Sequence, residues 1–287
     1  MSVLLASTHA ELVAACADPR LTAVVMTMGA LHDGHAELVR AARRRIGAKG
    51  RIIVTDFVNP TQFAPGEDFD RYPRTLDHDM TVCAEAGADI VFAPGVEDVY
   101  GTTDLGSLGT QVQVEPGPLG SELEGASRPG HFRGVLTVVA KLMHLTSPDL
   151  AFFGEKDYQQ LTLIAQMVRD LRFPIEVVPV ETVREDDGLA MSSRNRYLSD
   201  SERASASLIP AALRAVVAAG LEGEGAALEA GLAVLAQDPS IDVDYLVIRA
   251  LDLSAAPEAG QARVLIAARV GSTRLLDNMA MKLGGRQ

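Results

Sequence analysis

The chain has little cysteine. Cys16 and Cys83 are the only two in 287 residues, too few for a disulfide framework or a zinc cluster, and both read as small core residues in helical-looking segments. Long apolar runs are lacking as well: none approaches the roughly 18 residues of a membrane-spanning helix. The start, Met1 to Leu12, has neither the basic region nor the long apolar stretch of a signal peptide. A reducing cytoplasm is the expected compartment. Basic residues are outnumbered, 26 Lys and Arg against 38 Asp and Glu, for a formal net charge of −12. A field of that sign repels nucleic acid and acidic membranes, so neither is an expected partner. An anionic small molecule must instead be held by a local cluster of positive groups. What is present in quantity is ordinary: 47% hydrophobic residues and a length of 287 fit a soluble enzyme of about two domains.

There is no internal repeat, low-complexity tract or charge block. Up to about residue 180, strand-like and helix-like pieces alternate. Strands are expected at Thr22–Thr27, Arg51–Val58, Ala88–Phe92, Asp149–Phe153 and Ile175–Val180, with an edge or hairpin strand at Gln111–Val114. Helices are expected at Ala36–Ile46, Arg74–Ala86, Gly134–Leu145 and Lys156–Leu171. This alternation argues for an α/β fold, a Rossmann-like parallel sheet with helices on both faces. Near residue 183 the pattern changes. Ser199-Asp-Ser-Glu202 has the form of a capping box opening an Ala-rich helix, a second such helix spans about 225–237, and strands follow at 243–248, 262–267 and 273–277. The expected division is a nucleotide-binding domain, 1–182, and a smaller α+β C-terminal domain, 183–287, closing over the site.

Five segments carry chemistry. The first is Met28-Gly29-Ala30-Leu31-His32-Asp33-Gly34-His35, where a buried strand ends in a turn with two glycines and a helix begins. Glycines let backbone approach a bulky anion, and a helix N-terminus offers unpaired N–H groups and positive potential. His32 and His35, three residues apart, share a helical face and can donate to one phosphate; the plainer reading is that they only cap the helix. The second is Phe57-Val-Asn59-Pro-Thr-Gln62-Phe63, beyond the end of the next strand, where open α/β sheets bind ligands. Asn-Pro turn chemistry accounts for Asn59, but less easily for Gln62. The third, Phe153-Gly154-Glu155-Lys156-Asp157-Tyr158-Gln159-Gln160, combines a permissive glycine with a compact cation near a helix start. The fourth, Asp187 to Arg196, gathers Met191, Ser192, Ser193, Arg194 and Asn195 in a loop suited to phosphate, or to a solvated linker. In the fifth, Glu124 to Arg133, Arg128, His131 and Arg133 belong to a lid or contact substrate. Glu67, Asp68, Asp70, Asp77 and Asp79 form an acidic group that reads as a solvated helix face, with magnesium contact as the other possibility.

These segments, in this order, resemble the pantothenate synthetase (pantoate–β-alanine ligase) family: T-M-G-A-L-H-x-G-H at Thr27–His35, F-V-N-P-x-Q-F at Phe57–Phe63, Y-P-R-T at Tyr72–Thr75, G-E-K-D-Y-Q-Q at Gly154–Gln160 and D-G-L-A-M-S-S-R-N at Asp187–Asn195. H-x-G-H alone indicates only the wider nucleotidyltransferase group, which includes class I aminoacyl-tRNA synthetases, whose second signature loop the Met-Ser-Ser-Arg segment resembles. The resemblance implies ATP-dependent joining of pantoate to β-alanine through pantoyl adenylate, with AMP and pyrophosphate released, magnesium accompanying ATP, and a homodimer. It places ATP against Met28 to His35, Gly154 to Asp157, Val183 and Met191 to Arg194. It places pantoate against Gln62 and Gln160, with Gln62 also near β-alanine, and makes His35 the catalytic histidine. By their own chemistry His32 and Lys156 are expected to join it at the reacting phosphate, Ser192, Ser193 and Arg194 to grip the departing pyrophosphate, and Asn59 and Arg128 to contact substrate. One departure stands out. The segment before F-V-N-P is usually apolar, and here it carries Asp56, which needs a partner or an elevated pKa.

Two rival readings remain open. One is a different adenylate-forming enzyme, such as an amino-acid-activating synthetase, although the −12 charge weighs against tRNA binding. The other is a nucleotide-binding regulator that binds ATP without turning it over.

Overall fold

A computed structural model describes residues 3–63 and 69–284. The chain divides into two compact units, one of residues 1–155 and 163–180, the other of 156–162 and 181–287. The alternation of strands and helices gives no sign that segment 156–162 groups with the C-terminal residues.

The first unit is built from β1 (Leu4–Ala6), α1 (His9–Ala15), β2 (Thr22–Thr27), α2 (Asp33–Ile46), β3 (Arg51–Asp56), α3 (Leu76–Ala86), β4 (Ile90–Phe92), α4 (Val96–Tyr100), α5 (Glu124–Ser127), α6 (His131–Thr146), β5 (Leu150–Gly154), most of α7 (Tyr158–Asp170) and β6 (Glu176–Val180). Six strands form one sheet in the order β1-β4-β3-β2-β5-β6, and every pairing is parallel. The central strands are apolar along their length because both faces are covered; Ala23 to Val25, Ile52 to Val54 and Ala151 are fully buried. From β2 the chain steps outward through β3 to β4, and β5 and β6 extend the opposite side. The order therefore reverses between β2 and β5, the place where such sheets bind ligands at their carboxyl ends. β2 pairs with β5 with Val25 opposite Phe152, so the turns after Thr27 and after Gly154 leave the sheet side by side.

The second unit is an antiparallel three-stranded sheet, β7 (Ile241–Arg249), β8 (Gly260–Val270) and β9 (Thr273–Leu283), packed with α8 (Asp200–Ala206), α9 (Leu208–Ala219) and α10 (Glu224–Leu235). Its core joins Ile209, Leu213 and Val216 of α9 to Val264 and Ile266 of β8. Residues Asp200–Glu222 form the one helical run among the described residues long and apolar enough to cross a membrane, with a mean hydropathy of 1.6. Ala206, Ile209, Ala212, Leu213 and Val216 account for that apolarity, since all are fully buried.

Several expectations need correction. Gln111–Val114 is not a strand: Val114 N donates to Thr137 Oγ1 at 2.9 Å rather than to a ladder, and Val112 is 95% exposed. Alternation without a partner strand does not make one. The capping box at Ser199 and Glu202 forms, but the Ala-rich stretch is two helices broken at Ser207. Pro210, which cannot donate to Ala206, fits only in the first turn of a new helix. β1 and α1 are additional. β1 has three residues at the sheet edge, and α1 opens with a capping box of Thr8 and Glu11.

Gly134 shows how the fold positions the site. A Cβ there would overlap the backbone of Thr61 and Gln62, because α6 lies directly on the 3-10 turn Pro60–Gln62. Gly134→Ala gains about 1 kcal/mol of helix propensity but forces α6 off that turn. We expect a net loss of roughly 1–3 kcal/mol by thermal or denaturant unfolding; a stabilised variant would show that the contact yields freely.

Candidate functional site

In the first unit, β2 ends in a turn that an L-residue chain adopts reluctantly. Gly29 has φ 77° and Ala30 has φ 52°, two consecutive residues in the left-handed region, which costs Ala about 1–2 kcal/mol. A buried carboxylate holds them there. Asp79, on α3 and 0% exposed, accepts from Ala30 N at 3.0 Å and from Leu31 N at 2.7 Å. Thr75 Oγ1 adds bonds of 3.2 and 3.1 Å to the same two oxygens. The Asp79 carboxylate thus takes charge-assisted bonds to both oxygens. The expected place for Asp79 is a solvated face; its backbone partners, 48 and 49 residues away, draw it inside instead. Glu67 and Asp68 lie outside the described residues.

The turn delivers His32 and His35 to the start of α2, where they form a reciprocal cap. His32 Nδ1 accepts from Gly34 N at 3.1 Å and His35 Nδ1 accepts from His32 N at 3.3 Å, with ring centroids 4.1 Å apart. The histidines do cap the helix, and capping fixes their chemistry. With Nδ1 as the acceptor in each neutral ring, the proton sits on Nε2, so each presents an Nε2–H donor. Capping and anion donation are complementary roles.

Gln62 adjoins this turn, its Nε2 2.8 Å from Met28 Sδ. Asn59, 1% exposed, orients it: Asn59 Nδ2 donates to Gln62 Oε1 at 3.2 Å and to Gly134 O at 3.3 Å. Asn59 Oδ1 accepts from Tyr100 OH at 2.6 Å and from Thr61. Burial pushes the Tyr100 hydroxyl up to about 12, so it remains a donor. Gln62 and Arg128 line a cavity of about 220 Å³ with Tyr100, Gln111, His131 and Arg133. The loop around Arg128 therefore contributes side chains to the same cavity as Gln62.

Asp56, the departure from the family pattern, lies directly under the turn; a Cβ on Gly29 would overlap its Oδ1. It has the partner it needs, an unusual one. Burial raises its carboxyl from 3.8 to about 6, and the charge of Asp79 and a hydrogen bond with it push in the same direction. The Cys83 thiol beside this pair is likewise pushed up to about 12, by burial first and then by both carboxylates.

In the second unit, Lys156 Nζ reaches Asp157 Oδ1 at 3.4 Å, and the Lys156 carbonyl accepts from Asn278 Nδ2 at 2.9 Å. Asn278 Oδ1 in turn accepts from Arg263 at 2.6 Å, whose guanidinium lies 3.8 Å over the Tyr158 ring. The neighbouring Asp277 takes both arms of Arg184 at 2.7 and 2.9 Å. Arg184 begins the hairpin that turns at Gly188 and leads to Met191, whose N donates to Val183 O at 2.9 Å. Leu189 and Ala190 are buried and anchor the hairpin. Arg203 clamps Glu185 and Asp187 at 2.6 Å each, and that bond holds the Asp187 carboxyl below its usual range. Ser192 then caps the turn Ser193–Tyr197, accepting from Arg194 N at 3.3 Å. Asp277, Asn278 and Arg203 carry no local motif, and nothing in the sequence pattern singles them out.

The pantoate–β-alanine ligase family model matches residues 5–280. The chain belongs to the pantoate–β-alanine ligase family. It is 58% identical to the pantothenate synthetase of Salinispora arenicola, covering 91% of this chain and 90% of that one. It is 55% identical to that of Mycobacterium sp. strain JLS, covering 92% and 82%. Among solved structures, pantothenate synthetase from Thermus thermophilus superposes with a TM-score of 0.86 at 47% identity, covering 96% of this chain and 99% of that one. Pantoate-beta-alanine ligase from Francisella tularensis, crystallised with beta-gamma ATP and beta-alanine, gives a TM-score of 0.77 at 32% identity, covering 96% and 97%. This ligase is an enzyme of α/β fold with a small antiparallel C-terminal sheet.

Asp56 gives this ligase a testable pH dependence. A carboxyl raised in the folded state binds a proton there that the unfolded chain releases, so its contribution to stability is present below about pH 4 and is lost as the pH rises to about 6. Above that, the ionised group costs about 2 kcal/mol after allowance for partial exposure. Asp56→Asn, which keeps a donor for Asp79, is expected to melt higher than wild type at neutral pH and equally at about pH 4, followed by thermal unfolding across pH. A lower melting point at neutral pH would contradict this.

Proposed function

We propose that this ligase makes pantothenate in two steps on one enzyme: pantoate and ATP give pantoyl adenylate and pyrophosphate, and the β-alanine amine then displaces AMP. The observation that carries the reading is the pair of imidazoles held through their Nδ1 atoms at the carboxyl end of β2 and at the reversal of strand order, with the Gln62 amide against Met28 of the same turn.

The pantoate carboxylate attacks the α-phosphorus, and negative charge grows on the non-bridging and leaving oxygens. Catalysis is then mainly positioning and electrostatic stabilisation. We assign His32 and His35 to donate to those oxygens and Lys156 to neutralise them. Ser192, Ser193 and Arg194 grip the departing pyrophosphate, with Met28 to Leu31, Asp33, Gly34, Gly154, Glu155, Asp157, Val183 and Met191 completing the ATP contacts. Gln62 and Gln160 orient pantoate, Asn59 orients Gln62, and Arg128 takes a carboxylate. Uncharged amides suit the attacking acid because they orient its hydroxyls and carboxylate without neutralising it. Among the described residues no group of three or more His, Cys, Asp or Glu side chains is arranged to hold a metal. Magnesium enters this reading on the ATP phosphates, as part of the substrate. The substrates are small molecules, the setting is the cytoplasm, and the working form is a homodimer.

Pantoate-dependent exchange of pyrophosphate into ATP, without β-alanine, tests the first step. Wild type should catalyse it. His35→Ala and Lys156→Ala should each lose about 10²–10³-fold, the scale of removing one preorganised donor, with folding intact. Gln62→Ala should raise chiefly the pantoate requirement. A different adenylate-forming enzyme would show exchange only with another acid, and a regulator would show none. Full exchange in both alanine variants would overturn the assignments.

A further inference from the structure

His131, the first residue of α6, has no part in the assignments above, yet it joins two residues that do. Its Nε2 lies 3.0 Å from Arg128 Nη1, and its Nδ1 lies 3.0 Å from Gln62 O. A guanidinium can only donate and a carbonyl can only accept. Nε2 is therefore the acceptor and Nδ1 carries the proton, so the ring is a neutral bridge in a single tautomer. Arg128 Nη2 also reaches Gln62 O, at 3.5 Å. Gln62, Arg128 and His131 line the same cavity of about 220 Å³, and no carboxylate is among its described lining residues. In a chain of net charge −12 such a cavity suits a small carboxylate.

We propose that His131 is a positioning residue for substrate carboxylate binding: as a neutral Nδ1–H imidazole it locks the Arg128 guanidinium to the Gln62 backbone, and a second proton on the ring breaks that lock. This rests on the proposed function. The mechanism is a donor clash. A protonated ring has N–H groups on both nitrogens, so Nε2–H would face the Arg128 donor, two like charges about 3 Å apart. Arg128 must then turn away from the cavity. Among the described residues, the other charged or titratable groups about the ring include Arg133, paired with Glu115 at 2.8 Å, and Tyr100 across the cavity. Glu122 ends the 3-10 turn Pro118–Ser121 and Glu124 opens α5, which packs on Phe132 next to the ring.

The test separates this role from simple packing. His131→Phe fills the space without either bond and should raise the KM of a carboxylate substrate roughly tenfold, leaving the KM for ATP unchanged. His131→Gln can accept from Arg128 and donate to Gln62 O without titrating. It should recover most of that loss and, unlike wild type, hold its KM steady as the pH is taken from mildly alkaline to mildly acidic. Pyrophosphate exchange without β-alanine reads the pantoate KM and the complete reaction reads that of β-alanine, so the affected arm identifies which carboxylate the cavity holds. A wild-type KM for both acids in His131→Phe overturns the proposal. So does an acid-side rise in KM that persists in His131→Gln, a result that remains readable should the phenylalanine variant fail to fold. Absence of pantoate-dependent exchange in wild type is a different failure: it removes the proposed function, and this inference with it.

Discussion

Much of the N-terminal site depends on one buried carboxylate holding two backbone N–H groups. Without Asp79, Ala30 and Leu31 would have unpaired donors in a dry interior and Ala30 no reason to stay left-handed. The Gly29–Leu31 turn fixes where α2 begins, and the start of α2 fixes both imidazole rings and their tautomers. A charge in α3, 44 residues beyond His35, therefore organises groups well removed from it in the chain. Asp56 adds a strain that this chain tolerates: a second carboxyl under the same turn, where an apolar side chain would pack without penalty.

The same economy recurs elsewhere. Asn59 uses one amide to shape a 3-10 turn and to aim Gln62. In the second unit, Asp277 and Asn278, adjacent on β9, hold the stem of the Met-Ser-Ser-Arg loop through Arg184 and the backbone of Lys156. Regular secondary structure supplies the anchor in each case, and a buried polar side chain passes its position to a loop. Such networks are costly when broken and specific when complete, which suits catalysis that depends on donor placement more than on covalent chemistry.

The parts of this architecture visible in sequence are those with a local signature. Buried parallel strands announce themselves as apolar runs such as Ala23–Val25 and Ile52–Val54. The capping box at Ser199 is a four-residue pattern, and the H-x-G-H and G-E-K-D-Y-Q-Q segments lie at strand-to-helix turns. Long-range pairings stay hidden. Asp79 looks like one more acid on a polar helix face, because its partners are backbone N–H groups that every residue but proline carries. Arg203, Asp277 and Asn278 are concealed because their partners lie far along the chain. Gln111–Val114 fails in the opposite sense: the alternation is present, but among the described residues no strand pairs with it. His131 is visible as a titratable residue in a loop, but its role lies in a carbonyl 69 residues away.

The most direct test of the central dependence is the rate of pantoate-dependent pyrophosphate exchange in Asp79→Asn, taken at a temperature where the variant keeps its wild-type circular dichroism. An asparagine offers one acceptor where two backbone donors wait, and it points an N–H at the second. The account expects a loss on the order of a hundredfold, the scale of misplacing catalytic groups by about 1 Å. Wild-type exchange in the folded variant would contradict it.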